Sequence, residues 1–114
     1  MPKRNYKEEV EQLIKAARKQ GYRVRFDWES HVWRGMNPEA AKWLKKHGEY
    51  GKTKGRLPTR TIELNKYSET NNKERSQTLR HELIENKLMK KRGYQYPAAH
   101  KQACRKQSSI KAVK

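Results

Sequence analysis

Residues 78–85 read TLRHELIE and are the most informative part of this chain. They lie within a pattern that predicts one long helix over about residues 73–92. Because an α-helix turns by about 100° per residue, His81 and Glu85 are only about 40° apart on one face. Glu82 lies about 100° around the helix from His81. The spacing therefore predicts that His81 and Glu85 bind one metal ion and that Glu82 serves as a general base beside it.

A second histidine follows on a predicted short helix that begins at Tyr96. Because Gly93 ends the long helix, the chain can turn back and bring His100 to the same place. His100 is therefore the predicted third ligand, and the resulting set of two histidines and one glutamate is typical of catalytic zinc. Cys104 shares the helical face of His100 and could be a fourth ligand, although a small buried hydrophobic residue is its commoner role.

The charge pattern supports a metal at this stretch. Its two glutamates are the last carboxylates of the chain, and nine lysine and arginine residues follow them. Ile84 and Leu88 place an apolar stripe beside His81 and Glu85, on the packed side of the helix, where an uncompensated charge is costly. The alternative is that His81 and Glu85 form an i, i+4 ion pair and that His100 is a surface residue.

The rest of the chain predicts a small α+β domain. Four further segments carry the signals of helices or strands: a helix from Asn5 to Gly21, a strand at 22–29, a helix from Asn37 to Gly48 and a strand at 59–65. We expect one domain over residues 1–106, with amphipathic helices packed on a short antiparallel sheet and the long metal-binding helix near the C-terminus. A third strand is expected at 31–34 or 49–54, and residues 107–114 are expected to form a flexible basic tail.

The chain of 114 residues carries a net charge of +17, and its mean hydropathy is −1.37. A positive field of this size favours nucleic acid as a partner, with a solvated lysine surface as the alternative. The predicted nucleic-acid-binding residues lie on the outward face of the first strand and in the glycine-rich loop at 48–58: Arg23, Arg25, Lys52, Lys54 and Arg56. No DNA- or RNA-binding signature accompanies them.

The sequence predicts a cytoplasmic location. A single cysteine, Cys104, permits no disulfide within the chain, which fits a reducing compartment. No signal peptide and no membrane insertion are expected. Trp28, Trp33 and Trp43 are expected in the core, with stacking on bases as the alternative.

The strand at 61–65, the turn after it and the helix carrying TLRHEL resemble the minimal zincin metallopeptidases, in particular the ImmA/IrrE-like group. The resemblance covers roughly residues 59–104. It implies that His81 and the position of Glu85 bind zinc, that Glu82 is the general base, and that the strand before the helix lies at a sheet edge able to bind an extended peptide. Glu85 stands where those peptidases have histidine, so that HELIE replaces HExxH.

Two functions therefore follow from the sequence. The first is a zinc-binding, zincin-like protein that is a metal-dependent peptidase or hydrolase with a basic surface, for which another divalent metal could replace zinc. Its substrate would be a peptide or protein. The alternative is a non-enzymatic protein that binds DNA or RNA and in which the histidines and glutamates form a structural metal site or an ion pair.

Overall fold

The computed structural model describes residues 5–29, 33–48 and 59–112, and of residues 107–112 it describes the backbone alone. Within these residues the chain forms the predicted α+β domain, with four helices and one three-stranded sheet. The elements are α1 (Tyr6–Lys19), β1 (Arg23–Trp28), β2 (Gly35–Met36), α2 (Pro38–Lys46), β3 (Thr61–Asn65), α3 (Asn72–Arg92) and α4 (Tyr96–Ala112).

The helices begin and end at the residues that the local sequence favours. The side chains of Asn5, Asn37 and Asn71 each accept a hydrogen bond from the backbone N–H three residues later, which satisfies a free donor at the start of α1, α2 and α3. Gly93 ends α3 in the left-handed conformation, with φ at 70°. Because only three residues separate α3 from α4, the two helices turn back on one another and pack together.

The sheet is mixed, and the prediction of an antiparallel sheet was wrong for its main pair. The strand order is β1-β3-β2, in which β1 runs parallel to β3 and β2 runs antiparallel to it. Parallel pairing requires a long crossover, and the segment between β1 and β3, which contains α2, provides one. The strand before the long helix is therefore central, not at an edge as the zincin resemblance implied.

The third strand, β2, begins directly after the first of the two predicted places, 31–34. Its two residues pair with β3 so that Gly35 lies opposite Leu64. Residues 49–54, the second place, lie outside the described residues. β2 matters for the site because it places Gly35 and Met36 beside α3.

The core lies on both sides of α3. One buried group joins α1, the sheet and α3, and consists of Ala17, Tyr22, Ile62, Leu64 and Leu79. A second group joins the sheet to α2 and consists of Trp28, Met36, Ala40, Ala41 and Leu44, with Trp33 and Trp43 partly buried against it. The tryptophans therefore belong to the core, as predicted.

The C-terminal helix is longer than the predicted domain. α4 runs to Ala112, so the segment at 107–112 that was expected to be a tail continues the helix. None of the helices in the described part of the chain is both long enough and apolar enough to cross a membrane.

Candidate metal centre

The three predicted metal ligands meet at the contact between α3 and α4. The Oε2 atom of Glu85 lies 3.0 Å from Nε2 of His81 and 2.9 Å from Nδ1 of His100. Because a carboxylate only accepts hydrogen bonds, both rings donate to this one oxygen. The His81–Glu85 contact is also the i, i+4 ion pair that the sequence allows as an alternative to a metal site. That alternative does not expect His100 here, yet the turn at Gly93 brings a second imidazole to the same oxygen.

The site is buried at its centre and open on one side. Glu85 is 2% exposed and His81 is 8% exposed, whereas about half of the His100 side chain meets solvent. The open side leads into a cavity of about 240 Å³. Its other lining residues come from β2, the segment before it, α3 and α4: Trp33, Arg34, Gly35, Met36, Thr78, Glu82, Tyr96 and Cys104.

Asn37 fixes the carboxylates of this site, and the sequence analysis missed that role. Its side chain is fully buried, and its Nδ2 donates to Oε1 of Glu82 at 2.9 Å and to Oε1 of Glu85 at 3.0 Å. Its Oδ1 simultaneously accepts from the backbone N–H of Ala40. The residue that begins α2 thus also holds two side chains of α3. A helix start signal was visible in the sequence, but nothing local indicated these two partners.

The hydrogen bonds around Glu85 favour its ionised form. Burial alone raises the pKa of Glu85, but the hydrogen bonds and charges of His100 and His81 outweigh burial and leave its pKa below the ordinary value. Burial lowers the pKa of His81, yet the hydrogen bond that its ring donates to Glu85 and the charges of the nearby carboxylates raise it overall. The hydrogen bond to Glu85 likewise raises the pKa of His100. The site therefore combines one buried anion with two imidazoles.

Glu82 differs from its neighbour Glu85. It is 5% exposed, and Asn37 is the one hydrogen-bond donor that the structure gives its carboxylate. Burial and the charge of Glu85 raise the pKa of Glu82 to about 8, against an ordinary value of 4.5. A carboxyl group whose pKa lies close to neutral pH can both accept and return a proton. Glu82 lines the cavity beside the predicted ligands, where the sequence analysis placed the general base.

Gly35 allows the sheet to approach α3 closely at this point. A Cβ atom at Gly35 would lie 2.8 Å from Cγ2 of Thr78 and 3.2 Å from Cγ of Glu82. The first distance is shorter than any normal contact between such atoms. A residue with a side chain would therefore push β2 and α3 apart, and the cavity wall that β2 forms depends on glycine.

Cys104 lies at the site and is exposed, so the prediction that it is a small buried residue was wrong. Its Sγ is 3.9 Å from Nδ1 of His81 and 3.8 Å from Nε2 of His100. These are the ring nitrogens that do not contact Glu85. Burial and the charges of the two nearby glutamates raise the pKa of the Cys104 thiol.

A third buried carboxylate, Glu69, lies in the segment between β3 and α3. Arg34 donates to it from Nε at 3.1 Å and from Nη2 at 3.4 Å, and Ser68 and Thr78 donate from their hydroxyl groups. Arg34 also pairs with the more exposed Glu74. We call Arg34, Ser68, Glu69 and Thr78 the Glu69 cluster. The sequence analysis did not find it.

The structure confirms only part of the predicted basic surface. Arg23 and Arg25 lie on the exposed face of β1, as the alternation predicted. Arg25 contacts Asp27 at 3.4 Å and Glu63 at 3.9 Å, so acidic groups partly offset its charge. Lys52, Lys54 and Arg56 lie outside the described residues, and their position relative to β1 stays a prediction.

Comparisons of the chain with models of protein families, with curated proteins and with solved structures found no match. The resemblance of residues 59–104 to the minimal zincins therefore stays a prediction from the sequence. A function is therefore inferred from the site itself, where Asn37 at the start of α2 and side chains of α3 and α4 meet at one cavity.

Proposed function

We propose that this protein binds zinc at the cluster of His81, Glu85 and His100 and uses the ion to hydrolyse a peptide bond. The observation that carries the proposal is the meeting of two imidazoles from separate helices at one buried carboxylate oxygen. A second carboxylate, that of Glu82, lines the same cavity and has a pKa of about 8. Ligands and a base within one cavity are what a hydrolytic zinc site requires.

The donors fit a borderline metal such as zinc. Imidazole nitrogens, carboxylate oxygens and a thiol are all within reach, and ligand atoms in two overlapping groups lie within 4.8 Å of one another. One group is His81, Glu82 and Glu85, and the other is His81, His100 and Cys104. Calcium and magnesium prefer oxygen alone, so two histidines favour zinc or another first-row metal over them.

The side chains of this cavity support hydrolysis in distinct ways. A bound zinc ion supplies a Lewis acid that polarises a carbonyl group and activates water for attack on it. Glu82 takes the proton from the attacking water and returns it to the leaving amine, and its raised pKa suits both steps. Asn37 holds the Glu82 carboxylate in one orientation through a 2.9 Å hydrogen bond. Trp33 and Tyr96 contribute aromatic surface to the lining of the cavity.

Metal analysis tests the binding half of this proposal. Protein purified without a histidine tag and loaded with zinc should retain about one ion per chain, and His81→Ala and His100→Ala should retain almost none. Zinc should raise the stability of the wild type by about 2.7 kcal/mol at a free concentration 100 times the dissociation constant. It should leave both variants unchanged.

His47→Ala is the matched control, since His47 directly follows α2, stacks on Trp43 and does not line the cavity. It removes one imidazole and should keep zinc binding. Full zinc content in both His81→Ala and His100→Ala would exclude this cluster as the metal site.

As a second function, we propose that the basic surface binds nucleic acid with little sequence preference. The observation that favours it is the exposure of Arg23 and Arg25 on one strand face of a chain with net charge +17. Phosphate contacts of this kind release counterions, so log affinity falls with log salt by about 0.9 for each phosphate neutralised on duplex DNA.

Fluorescence anisotropy at low salt tests this surface with duplex DNA and single-stranded RNA. Replacing both Arg23 and Arg25 by alanine should weaken binding and reduce the salt slope. Arg80→Ala is a suitable control for each single replacement, because it also removes one positive charge, from a residue that pairs with Glu9 and is only 18% exposed. Absence of binding to either nucleic acid at low salt would rule this function out.

A further inference from the structure

The two histidines present a second pair of ring nitrogens on the side away from Glu85. Nε2 of His81 and Nδ1 of His100 contact Glu85, whereas Nδ1 of His81 and Nε2 of His100 face Sγ of Cys104. The two nitrogens of an imidazole lie on different edges of the ring, so one metal ion cannot use both. Zinc must therefore bind either on the Glu85 side or on the Cys104 side.

The distances on the Cys104 side match those of a tetrahedral zinc site. Zinc binds imidazole nitrogen at about 2.0–2.1 Å and thiolate sulfur at about 2.3 Å, which places tetrahedral nitrogen and sulfur ligands about 3.6 Å apart. Cys104 Sγ lies 3.9 Å and 3.8 Å from the two free nitrogens. These separations are close to the required one, and small side-chain movements would complete it.

The Glu85 side matches the outer contacts of a zinc-binding histidine. Ligating histidines commonly donate their other ring N–H to a carboxylate, which orients the ring and makes the metal-binding nitrogen more basic. Glu85 accepts such hydrogen bonds from both rings, at 3.0 Å and 2.9 Å, with one oxygen. Asn37 in turn holds the other oxygen of Glu85. Glu85 is thus already occupied by protein donors, whereas the other nitrogen of each ring contacts the Cys104 thiol, at 3.9 Å and 3.8 Å.

We infer that zinc is bound by Nδ1 of His81, Nε2 of His100 and Sγ of Cys104, and that Glu85 orients both imidazoles from behind. This inference rests on the proposed zinc binding and specifies its coordination. It changes the predicted role of Glu85 from a ligand to a positioning residue. On binding, Cys104 releases its thiol proton to solvent and coordinates as thiolate, so zinc uptake is accompanied by proton release. The exposed Cys104 and half-exposed His100 give the ion a path from solvent.

Cobalt(II) is the probe that distinguishes the two sides. Wild-type protein loaded with Co²⁺ alone should show a thiolate-to-cobalt charge-transfer band in the near ultraviolet, together with visible bands of a tetrahedral site. Cys104→Ser should lose the near-ultraviolet band. Its zinc affinity should fall by more than about 100-fold, which is the upper end of the loss expected when a carboxylate behind a ligand is removed. Glu85→Gln should keep the band and lose about 10- to 100-fold in affinity.

The outcomes separate this inference from the proposed function. A Co²⁺ complex that depends on His81 and His100 but lacks the charge-transfer band would overturn the role of Cys104 and keep the zinc site. The same holds if Glu85→Gln abolishes binding while Cys104→Ser leaves the affinity unchanged. If the wild type binds neither Co²⁺ nor Zn²⁺, both the inference and the proposed metal site are wrong. Because Cys104 is exposed, its replacement by serine should leave the fold intact.

Discussion

Two buried carboxylates, Glu69 and Glu85, are each only 2% exposed but accept hydrogen bonds from different kinds of donor. Glu69 accepts hydrogen bonds from the guanidinium of Arg34 and from two hydroxyl groups. An arginine keeps its charge at all ordinary pH values, and hydroxyl groups do not titrate there. The Glu69 cluster is therefore a fixed link between the segment before β2, the turn after β3 and α3.

Glu85 accepts instead from Asn37 and from two histidines. Histidine gains and loses its charge near neutral pH and is the commonest metal ligand in proteins. The same cavity also contains Glu82, a carboxyl group whose pKa is about 8. Burial therefore does not distinguish the two carboxylates. They differ in whether the groups that donate hydrogen bonds to them can change charge near neutral pH.

The largest expected effect concerns Glu82 and would show that the cluster around Glu85 is catalytic. In zinc-loaded protein, Glu82→Gln should reduce peptide hydrolysis by about 10²- to 10⁴-fold, because a general base contributes about that much. Zinc content and fold should be kept, since glutamine has nearly the same shape and can still accept the hydrogen bond from Asn37. The measurement is cleavage of a peptide library, followed by mass spectrometry, with metal analysis of the same samples.

Glu74→Gln is the control for this experiment, because Glu74 is a more exposed carboxylate on the same helix. It should cleave the library as the wild type does. Loss of zinc from Glu82→Gln would make Glu82 a ligand, and wild-type cleavage by this variant would remove it from the mechanism.

A smaller effect is expected at Glu69, and it should be independent of zinc. Glu69→Gln weakens the charged hydrogen bonds from Arg34 and should lower the free energy of unfolding by about 1.5–3 kcal/mol, both with zinc and with a chelator. Urea unfolding measures this. Glu74→Gln, which removes the other carboxylate partner of Arg34, should cost no more than about 1 kcal/mol because that pair is more exposed. A loss of stability at Glu69→Gln that appears only with zinc would contradict the distinction between the clusters.

The remaining prediction concerns the pH dependence of the stability of metal-free protein. Between the ordinary pKa of 4.5 and the folded pKa of about 8, folded Glu82 holds a proton that the unfolded chain has lost, so stability falls as pH rises. His81 and His100, whose pKa values are also raised, add stability below their ordinary pKa that is lost as pH rises through their folded values. Glu85, with a lowered pKa, loses its contribution only as the solution becomes acidic.

Each proton contributes at most about 1.4 kcal/mol per pH unit to this slope. Thermal unfolding in a chelator from about pH 6 to about pH 9 measures it, and Glu82→Gln should flatten part of the curve. Stability that stays constant or increases over that interval would mean that these three groups do not have the raised pKa values described here.

The sequence correctly predicted the features that depend on neighbouring residues, namely where helices begin and end and which face of a strand is exposed. The caps at Asn5 and Asn37, the end of α3 at Gly93 and the alternation of β1 all follow from neighbouring residues, and the structure confirms them. The meeting of His81, Glu85 and His100 was predictable because it needs only helix geometry and one turn.

Contacts between distant segments were missed. Asn37 is 45 residues from Glu82 in the chain, and Arg34 is 35 residues from Glu69, so no local pattern links either pair. The direction of β1 relative to β3 depends on the path of the chain between them and not on the alternation within either strand. The exposure of Cys104 likewise depends on how α4 packs on α3, which its own helical pattern does not specify.

The absence of a side chain at Gly35 determines how closely β2 approaches α3 and therefore the shape of the cavity. Residues of both β2 and α3 line the cavity, and at Gly35 the two elements pack so closely that one added methyl group does not fit. Thr78, which that methyl group would strike, is held by the Glu69 cluster and cannot easily move aside. A side chain at position 35 would therefore displace β2 from α3, and with β2 the part of the cavity wall that Gly35 and Met36 form next to Glu82.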